Sequence, residues 1–542
     1  MKQYPWYPTK KYGTFADFVS ALPQFGEKPA VTEYDRQGQK ATHSYAELYA
    51  DVCALAQSLQ AQGIAGQHTA IVGENSYAWI AAFLAVCSSG GVAVCIDIEQ
   101  PDETIAQMLA LADVQNVFAS GSMIGLCRKI AEKNGDPERI FSLENEKMQA
   151  LIHEAPDSDF SFPTLTPDQP AVIAFTSGTT AQAKAVLLSG RNLLSNAANA
   201  SAVLDLGAST FSGLPFFHTY GLTCGVICSL LQGCHLTVNG NLRTMLRDLR
   251  LCNAETMFSV PLILEVVWKN VRQELEKQGE LKNAERLLKI CRLFGALGRK
   301  LTQKQREALH DKYFGALKTV ICGGAHINTD ISKTMDALGV AVLQGYGITE
   351  CSPLIAVNRN EFHRPHTVGT VLPGWQIKFE NDEILVCGES LMLGYYHDEE
   401  ATSAVIKDGF FRTGDLGSFD PQGQLLIVGR TKNLIVLKNG KKISPERIEE
   451  LILRIPLVKE AVVYGSVSGS VADDVKPAVS IFPDPQATAG MGRYEILNAL
   501  QEKVNQINAS LPTYQQIRMI TLREKEFDKT GSKKNIRTGI GV

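Results

Sequence analysis

An α/β fold is predicted for this chain, with a large N-terminal domain followed by a small α+β C-terminal domain, and three observations predict it. At 542 residues the chain exceeds what one hydrophobic core usually supports, so two or more domains are expected. Twice, over 68–96 and over 317–347, an apolar run of strand length is followed by a helical stretch and a second apolar run, which is the pattern of a parallel sheet. Between Val368 and Gly429 the pattern changes to short alternating runs separated by Pro373-Gly374, Asn381-Asp382, Asp408-Gly409 and Gln422-Gly423, which predicts a small antiparallel β subdomain.

The bulk numbers narrow the partners. Charged residues make up 20% of the chain and the net charge is −4, a balance that gives no reason to expect nucleic acid and points to small molecules. Twelve cysteines are scattered without C-x-x-C pairs or metal spacing, and no secretory apolar segment opens the chain, so free thiols in a reducing cytoplasm are expected. The most apolar stretch, Ala78 to Cys87, is broken by Ser88-Ser89-Gly90-Gly91 well short of a bilayer span. No transmembrane segment is expected, and peripheral contact with a membrane surface is left open.

Taken in order, Ser44-Tyr45-Ala46-Glu47 has the spacing of a capping box for a helix that reaches Gln62 and stops at Gly63. His68 to Val72 reads as a strand, Ser76 to Cys87 as a helix and Val92 to Ile96 as a strand. Ala171 to Phe175 and Ala185 to Leu188 are strands on either side of a Thr/Ser/Gly turn. Ala254 to Val260 is a strand after which Pro261 suits the first position of a helix running towards Lys277. The charged stretch from Gln273 to Lys312 reads as solvated helix surface without chemistry. Leu317 to Cys322, Thr329 to Leu338 and Val340 to Gln344 form a second strand, helix and strand. Gly429-Arg430-Thr431-Lys432-Asn433 marks a domain boundary, beyond which Asn439-Gly440 turns a hairpin and Ser444-Pro445 opens a helix.

The chemistry gathers at turns. In the turn between the two strands, Gly178 lets successive N–H groups point inward, Thr176, Ser177, Thr179 and Thr180 supply hydroxyls, and Lys184 adds a charge, which together suit the phosphate tail of ATP. The G-x-x-x-x-G-K-[ST] pattern is absent and the lysine leads into a strand, so this is a different kind of phosphate loop. In a right-handed crossover the turns Gly323-Gly324-Ala325 and Gly345-Tyr346-Gly347 lie at the carboxyl edge of the sheet, where open α/β sheets bind ligands. Tyr346 can stack on a flat base there, and Thr349 and Glu350 follow with a hydroxyl and a carboxylate for phosphates and magnesium. Asp415, beside Gly414, suits vicinal ribose hydroxyls or is a plain turn aspartate. His218, among the aromatic residues of Leu214 to Leu222, is a satisfied core histidine or the wall of an acyl pocket.

In this order T-S-G-T-T-x-x-x-K, P-F-F-H, G-G-A, G-Y-G-I-T-E, T-G-D, G-R-T-K-N and the terminal K-T-G-S-K-K resemble the acyl-adenylate-forming (AMP-binding) superfamily, from about Ser44 to Arg537. The chain looks most like its bacterial long-chain fatty acyl-CoA synthetases. The resemblance implies two doubly wound α/β subdomains with a small antiparallel β subdomain in an ATP- and acyl-binding domain over 1–430, and a mobile domain over 431–542. It implies that a carboxylate and Mg-ATP give acyl-AMP and pyrophosphate, after which coenzyme A displaces AMP.

Residue by residue, it implies that Thr176 to Lys184 hold the β- and γ-phosphates, that Gly323, Gly324, Ala325, Tyr346 and Gly347 surround adenine, and that Thr176 and Glu350 hold Mg2+. Thr349 falls to the α-phosphate, Asp415 and Arg430 to the ribose, His218 and Gly345 to the acyl pocket, and Lys432 to the hinge. Lys534 falls to the adenylation lysine, with Lys533 as its rival. The chain departs from the family where Ala181, Ala183 and Ala185 replace two glycines and a proline of the phosphate loop, and where Lys533 and Asn535 replace commoner residues. Two other functions remain in view: a stand-alone enzyme loading an acyl or amino acid onto a carrier protein, and a non-catalytic acyl-nucleotide sensor. An amino-acid enzyme calls for an Asp after the Phe-rich segment, where this chain has His218, Thr219 and Tyr220.

Overall fold

Local signals set most of the helix starts. Ser44 accepts from the N–H of Glu47 while the Glu47 carboxylate accepts from the N–H of Ser44, closing a capping box on helix Tyr45–Ala61, and Gly63 with φ +67° ends it. Ser76 caps helix Tyr77–Ser88, Pro261 opens helix Pro261–Lys277, and Asn328 and Gly339 bracket helix Thr329–Leu338. The computed structural model describes residues 5–134, 139–153, 160–176, 184–241, 243–325, 327–437, 441–467, 475–528 and 537.

The chain divides into two compact units. The first comprises Met1–Gln376, Cys387–Phe411 and Pro421–Leu425, and the second Ile377–Val386, Arg412–Asp420 and Leu426–Val542. In the first unit a seven-stranded sheet is ordered Gly394–Tyr395, Ala185–Ser189, Pro170–Phe175, Val92–Cys95, His68–Val72, Asn116–Ala119 and Ile140–Ser142. From Pro170–Phe175 to Ile140–Ser142 its neighbours are parallel. Such strands are covered on both faces, so they read as continuous apolar runs such as Val92–Cys95, which is buried throughout.

A nine-stranded sheet in the same unit is ordered Thr370–Val371, Leu354–Val357, Ala341–Gly347, Thr319–Cys322, Thr256–Ser259, Ser209–Ser212, His235–Val238, Pro29–Tyr34 and Lys40–Ser44. Its strands from Ala341–Gly347 to Pro29–Tyr34 are parallel and the outer ones antiparallel. Helices Pro261–Lys277, Leu281–Leu301 and Thr329–Leu338 contribute Leu264, Leu287, Leu288 and Met335 to a core shared with Met257, Val320 and Val342 of its strands.

The stretch from Val368 to Gly429 contains the expected small β subdomain but gives two of its short strands to the larger sheets. Trp375–Glu380, Glu383–Gly388, Phe410–Phe419 and Ile406–Lys407 do lie side by side, with Leu425–Arg430 against Phe410–Phe419. Thr370–Val371, however, pairs into the nine-stranded sheet, Gly394–Tyr395 pairs into the seven-stranded one, and Glu399–Val405 is a helix. Two-residue strands carry too little pattern to reveal their partners, which are chosen by the backbone edges available to them.

In the second unit, strands Val458–Val467, Val475–Pro483 and Met519–Leu522 form a sheet whose core with helices Pro445–Leu453 and Arg493–Ser510 includes Ile448, Ile452, Val463, Ile481, Leu500 and Val504. Ile435–Val436 and Lys442–Ile443 pair antiparallel as a hairpin requires, while the Asn439-Gly440 turn lies outside the described residues. Ser444 precedes Pro445 as expected but does not cap through its side chain. Its hydroxyl turns to the Val428 carbonyl and the Glu446 carboxylate. All twelve cysteines are free thiols, and Cys53, Cys252 and Cys387 alone are not fully buried.

Candidate active site

The phosphate-loop candidate is the tip of the hairpin Pro170–Phe175 and Ala185–Ser189, whose register ends at the pair Phe175 and Ala185. Beyond that pair the Thr176 N–H donates to the Lys184 carbonyl at 3.0 Å and the Lys184 N–H to the Thr176 hydroxyl at 3.3 Å. The neck of the loop is thereby closed, and Thr176 and Lys184 face each other across it. Ser177, Gly178, Thr179 and Thr180 lie outside the described residues.

The nine-stranded sheet collects the other candidates. Because Ser209–Ser212, Thr256–Ser259, Thr319–Cys322 and Ala341–Gly347 are adjacent and parallel, their carboxyl ends share one edge. The His218 segment follows the first of these strands, Gly323-Gly324-Ala325 the third, and Gly345-Tyr346-Gly347 closes the fourth. Tertiary packing explains two of these glycines. A Cβ on Gly323 would lie 3.2 Å from the ring of Tyr220, whose phenol donates to the Ile321 carbonyl at 2.9 Å. A Cβ on Gly347 would come within 2.2 Å of the Pro353 carbonyl oxygen, which accepts from the Ile348 N–H. Gly324 and Ala325 are exposed, and Gly345, Tyr346 and Gly347 are half-buried. His218 is also half-buried, edge-on to Phe217 with ring centroids 4.7 Å apart.

Thr349 and Glu350 stand in a single 3-10 turn, Thr349–Cys351, directly after that edge. The Tyr395 phenol donates to Glu350 Oε1 at 2.8 Å, and the Lys184 ammonium lies 4.3 Å from the centroid of the Tyr395 ring. One tyrosine thus joins the carboxylate that follows the nine-stranded sheet to the lysine that closes the loop of the seven-stranded sheet. Burial, with the Glu350 carboxylate beside it, holds the Tyr395 phenol far above its ordinary range, so it remains a donor. The Met392 N–H donates to the Glu350 carbonyl at 2.8 Å, and the Tyr395 N–H to the Thr402 hydroxyl at 2.9 Å, which fixes both ends of this link. Sequence reading passed over Tyr395, since a G-Y-Y triplet in a two-residue strand signals nothing locally.

In the second unit Asp415 is buried and its Oδ1 accepts from Arg430 Nε at 2.8 Å, with the Arg430 side chain 38% exposed. The Thr413 hydroxyl accepts from the Asp415 N–H at 3.1 Å and donates to the Ile384 carbonyl at 2.8 Å, which sets the loop that carries the carboxylate. Lys432 stands exposed in the 3-10 turn Thr431–Asn433 directly after Arg430. Lys533 and Lys534 lie outside the described residues. Just beyond them Arg537 donates to the buried Glu449 carboxylate at 2.6 Å, and the same carboxylate accepts from the Val463 N–H at 2.6 Å.

Residues 18–396 match the AMP-binding enzyme family, and residues 432–540 match the AMP-binding enzyme C-terminal domain. The first match spans more than half of the chain, and the chain belongs to the AMP-binding enzymes. A probable acyl-activating enzyme from the chloroplast of Arabidopsis thaliana is 24% identical over 93% of this chain and 81% of its own length. A long-chain-fatty-acid CoA ligase of Mycobacterium bovis is 26% identical over 82% of this chain and 78% of its own.

Among solved structures, an anthranilate CoA ligase in complex with anthranoyl-AMP superimposes with a TM-score of 0.80 at 18% identity, covering 98% of this chain and 96% of that one. An o-succinylbenzoate CoA synthetase from Bacillus subtilis in complex with its acyl-adenylate gives 0.76 at 20% identity, covering 98% of both. At these identities the likeness establishes the fold.

Proposed function

We propose that the protein is an acid–thiol ligase that activates a medium- or long-chain fatty acid as acyl-AMP and then passes the acyl group to coenzyme A. The observation that carries this reading is the convergence, within one compact unit, of Lys184, Tyr395 and Glu350 beside the shared strand edge that bears the Gly323 and Tyr346 turns. Membership of the AMP-binding enzymes supports the adenylating step. The fatty substrate is supported by the long-chain ligase among the relatives and by the absence of an aspartate at Thr219 and Tyr220 to pair an amino acid's ammonium group. We assign the ATP and acyl sites to residues 1–430 and the adenylation lysine to 431–542. The twelve free thiols suit a reducing compartment, in keeping with a cytoplasmic enzyme.

In the first half-reaction a carboxylate oxygen of the acid attacks the α-phosphorus of ATP. The bond from that phosphorus to the β-bridging oxygen breaks, and pyrophosphate leaves. Lys184 and the Thr176 hydroxyl bind the β- and γ-phosphates, Tyr346 stacks on adenine, Asp415 and Arg430 hold the ribose, and Thr349 reaches the α-phosphate. We assign the adenylation role to Lys534, because negative charge accumulates on the α-phosphate and the attacking carboxylate in this step and a fixed cation between them would lower the barrier.

Mg2+ is the implied metal, and the donor set fits it. A hard cation that keeps several waters needs one or two protein oxygens plus substrate phosphates, and the Glu350 carboxylate and the Thr176 hydroxyl supply oxygens of that kind. Among the described residues no group of three His, Cys, Asp or Glu side chains could hold a metal unaided. When bound, the ion would neutralise charge on the phosphates.

In the second half-reaction the thiol sulfur attacks the acyl carbon, the bond to the AMP oxygen breaks and the thiol proton is released to solvent. We assign Lys432 as the hinge that lets the C-terminal domain serve the two steps in turn. The test is pyrophosphate release with acids from acetate to palmitate, aryl acids and amino acids, with and without coenzyme A. Fatty acids are expected to give the highest turnover, and thioester only when coenzyme A is added. Release with amino acids or aryl acids alone would overturn the substrate assignment.

A further inference from the structure

Helix Leu281–Leu301 belongs to the stretch that the sequence reads as plain solvated surface, and its exposed face is not plain. Ala284, Leu287, Leu288 and Cys291 are buried and anchor the helix in the core. Leu293, Phe294, Leu297 and Leu301 are instead 68%, 57%, 59% and 67% exposed. At 3.6 residues per turn these four fall within an arc of about 100°, so they form a continuous apolar stripe along the outer side of the helix rather than scattered surface leucines. The chain as a whole carries a net charge of −4, yet this helix has six basic residues and one acidic residue. Lys282, Arg286, Lys289 and Lys300 fall on the arc adjoining the stripe. Among the described residues none of these four cations enters an ion pair, whereas Arg299 is taken by Asp336 at 2.8 Å and Glu285 by Arg272 at 3.0 Å.

A fold gains nothing from large apolar side chains held in water beside four cations that no described residue neutralises, so the face is complementary to something both apolar and anionic. We propose that helix Leu281–Leu301 is a docking face for an anionic lipid bilayer. The helix lies flat, Leu293, Phe294, Leu297 and Leu301 enter the boundary between headgroups and acyl chains, and Lys282, Arg286, Lys289 and Lys300 meet the phosphates. Two features favour a bilayer over a protein partner. The cations run from Lys282 to Lys300, roughly 27 Å along the axis, so a flat charged plane meets all four at once. The pairing of a Leu/Phe face with a Lys/Arg flank on one helix is the pattern of segments that lie in the membrane interface. No described helix is long and apolar enough to cross a membrane, so the contact is one of surface attachment.

The test is flotation of the full chain with vesicles of phosphatidylcholine alone and of phosphatidylcholine containing phosphatidylglycerol. The protein is expected to float with the anionic vesicles and to remain behind with the neutral ones, and its binding should fall steeply with salt. Phe294→Ser with Leu297→Ser, and separately Lys282→Gln with Arg286→Gln and Lys289→Gln, should each weaken binding at least about tenfold at unchanged thermal unfolding midpoint. In a second measurement, Phe294→Trp should gain emission that spin-labelled lipid quenches in anionic vesicles, whereas the same replacement at the buried Phe258 should not. Failure of the parent chain to float, undiminished binding by both sets of variants, or an unquenched Phe294→Trp overturns the proposal. So does a dimer in sedimentation velocity that Leu297→Ser converts to monomer, because the stripe is then an interface between copies.

Discussion

Replacing Tyr395 by phenylalanine isolates one bond of the site. The phenol donates to Glu350 Oε1 at 2.8 Å from a residue that is 8% exposed, while the ring separately faces Lys184 at 4.3 Å. Tyr395→Phe removes the first contact and keeps the second. A hydrogen bond to a charged group contributes about 1.5–3 kcal/mol, and the half-exposure of Glu350 lets water recover part of it, so about 1.5–2 kcal/mol is expected to be lost. If Glu350 orients Mg-ATP, that loss appears as a fall of about 10- to 30-fold in kcat/KM for Mg-ATP. The KM for the fatty acid should stay within about twofold, because the acid does not depend on Glu350 being oriented. Tyr395→Leu should cost more, since the attraction of Lys184 to the ring, about 0.5–2 kcal/mol, is lost as well. The assay is pyrophosphate release with Mg-ATP varied at saturating acid, alongside calorimetric titration of Mg-ATP into the free protein. Equal Mg-ATP dependence in parent and Tyr395→Phe would refute the reasoning and leave Tyr395 as packing between two sheets.

Asp415→Ala should raise the requirement for ATP much more than that for the acid, and unchanged ATP saturation would make Asp415 a structural partner of Arg430 only. Lys534→Ala should abolish acyl-AMP formation yet still convert supplied acyl-AMP and coenzyme A to thioester; loss of both steps, or an equal block by Lys533→Ala, would misassign the lysine. Lys432→Pro fixes φ at about −65° and should impair one half-reaction far more than the other, which separate assays of the two steps will reveal. Burial, with Lys40 nearby, lowers the pKa of His235, whose Nε2 lies 2.7 Å from the Thr32 hydroxyl. A folded-state pKa below the unfolded value means that this stability is fully present above about pH 6.5 and is lost as pH falls through the lower folded value. His235→Gln should therefore flatten the fall in unfolding midpoint between about pH 7 and pH 5, measured against the parent.

What the sequence determined by itself is what neighbouring residues decide among themselves. Ser44 and Glu47 satisfy each other's N–H groups within one turn, Pro261 brings its own φ to a helix start, and the two strand–helix–strand units order their parallel strands through a handed crossover. The glycine turns at 323–325 and 345–347 could be assigned to one edge for the same reason, since parallel strands put every following turn on one side.

Tertiary structure alone decided what depends on which distant backbone or side chain arrives alongside. Gly394–Tyr395 is too short to declare a partner, and only its pairing with Val186 and Leu187 brings the Tyr395 phenol to Glu350 and its ring to Lys184. Thr370–Val371 likewise finds its sheet through the free edge of Leu354–Val357. The outer stripe of helix Leu281–Leu301 escaped the sequence for a related reason. Leu287 and Leu288 enter the core and Leu293 and Leu297 do not, although all four are the same residue on the same helix. Periodicity shows that a helix has an apolar face but not how far round that face the neighbouring elements reach, because burial is set by the whole packed fold.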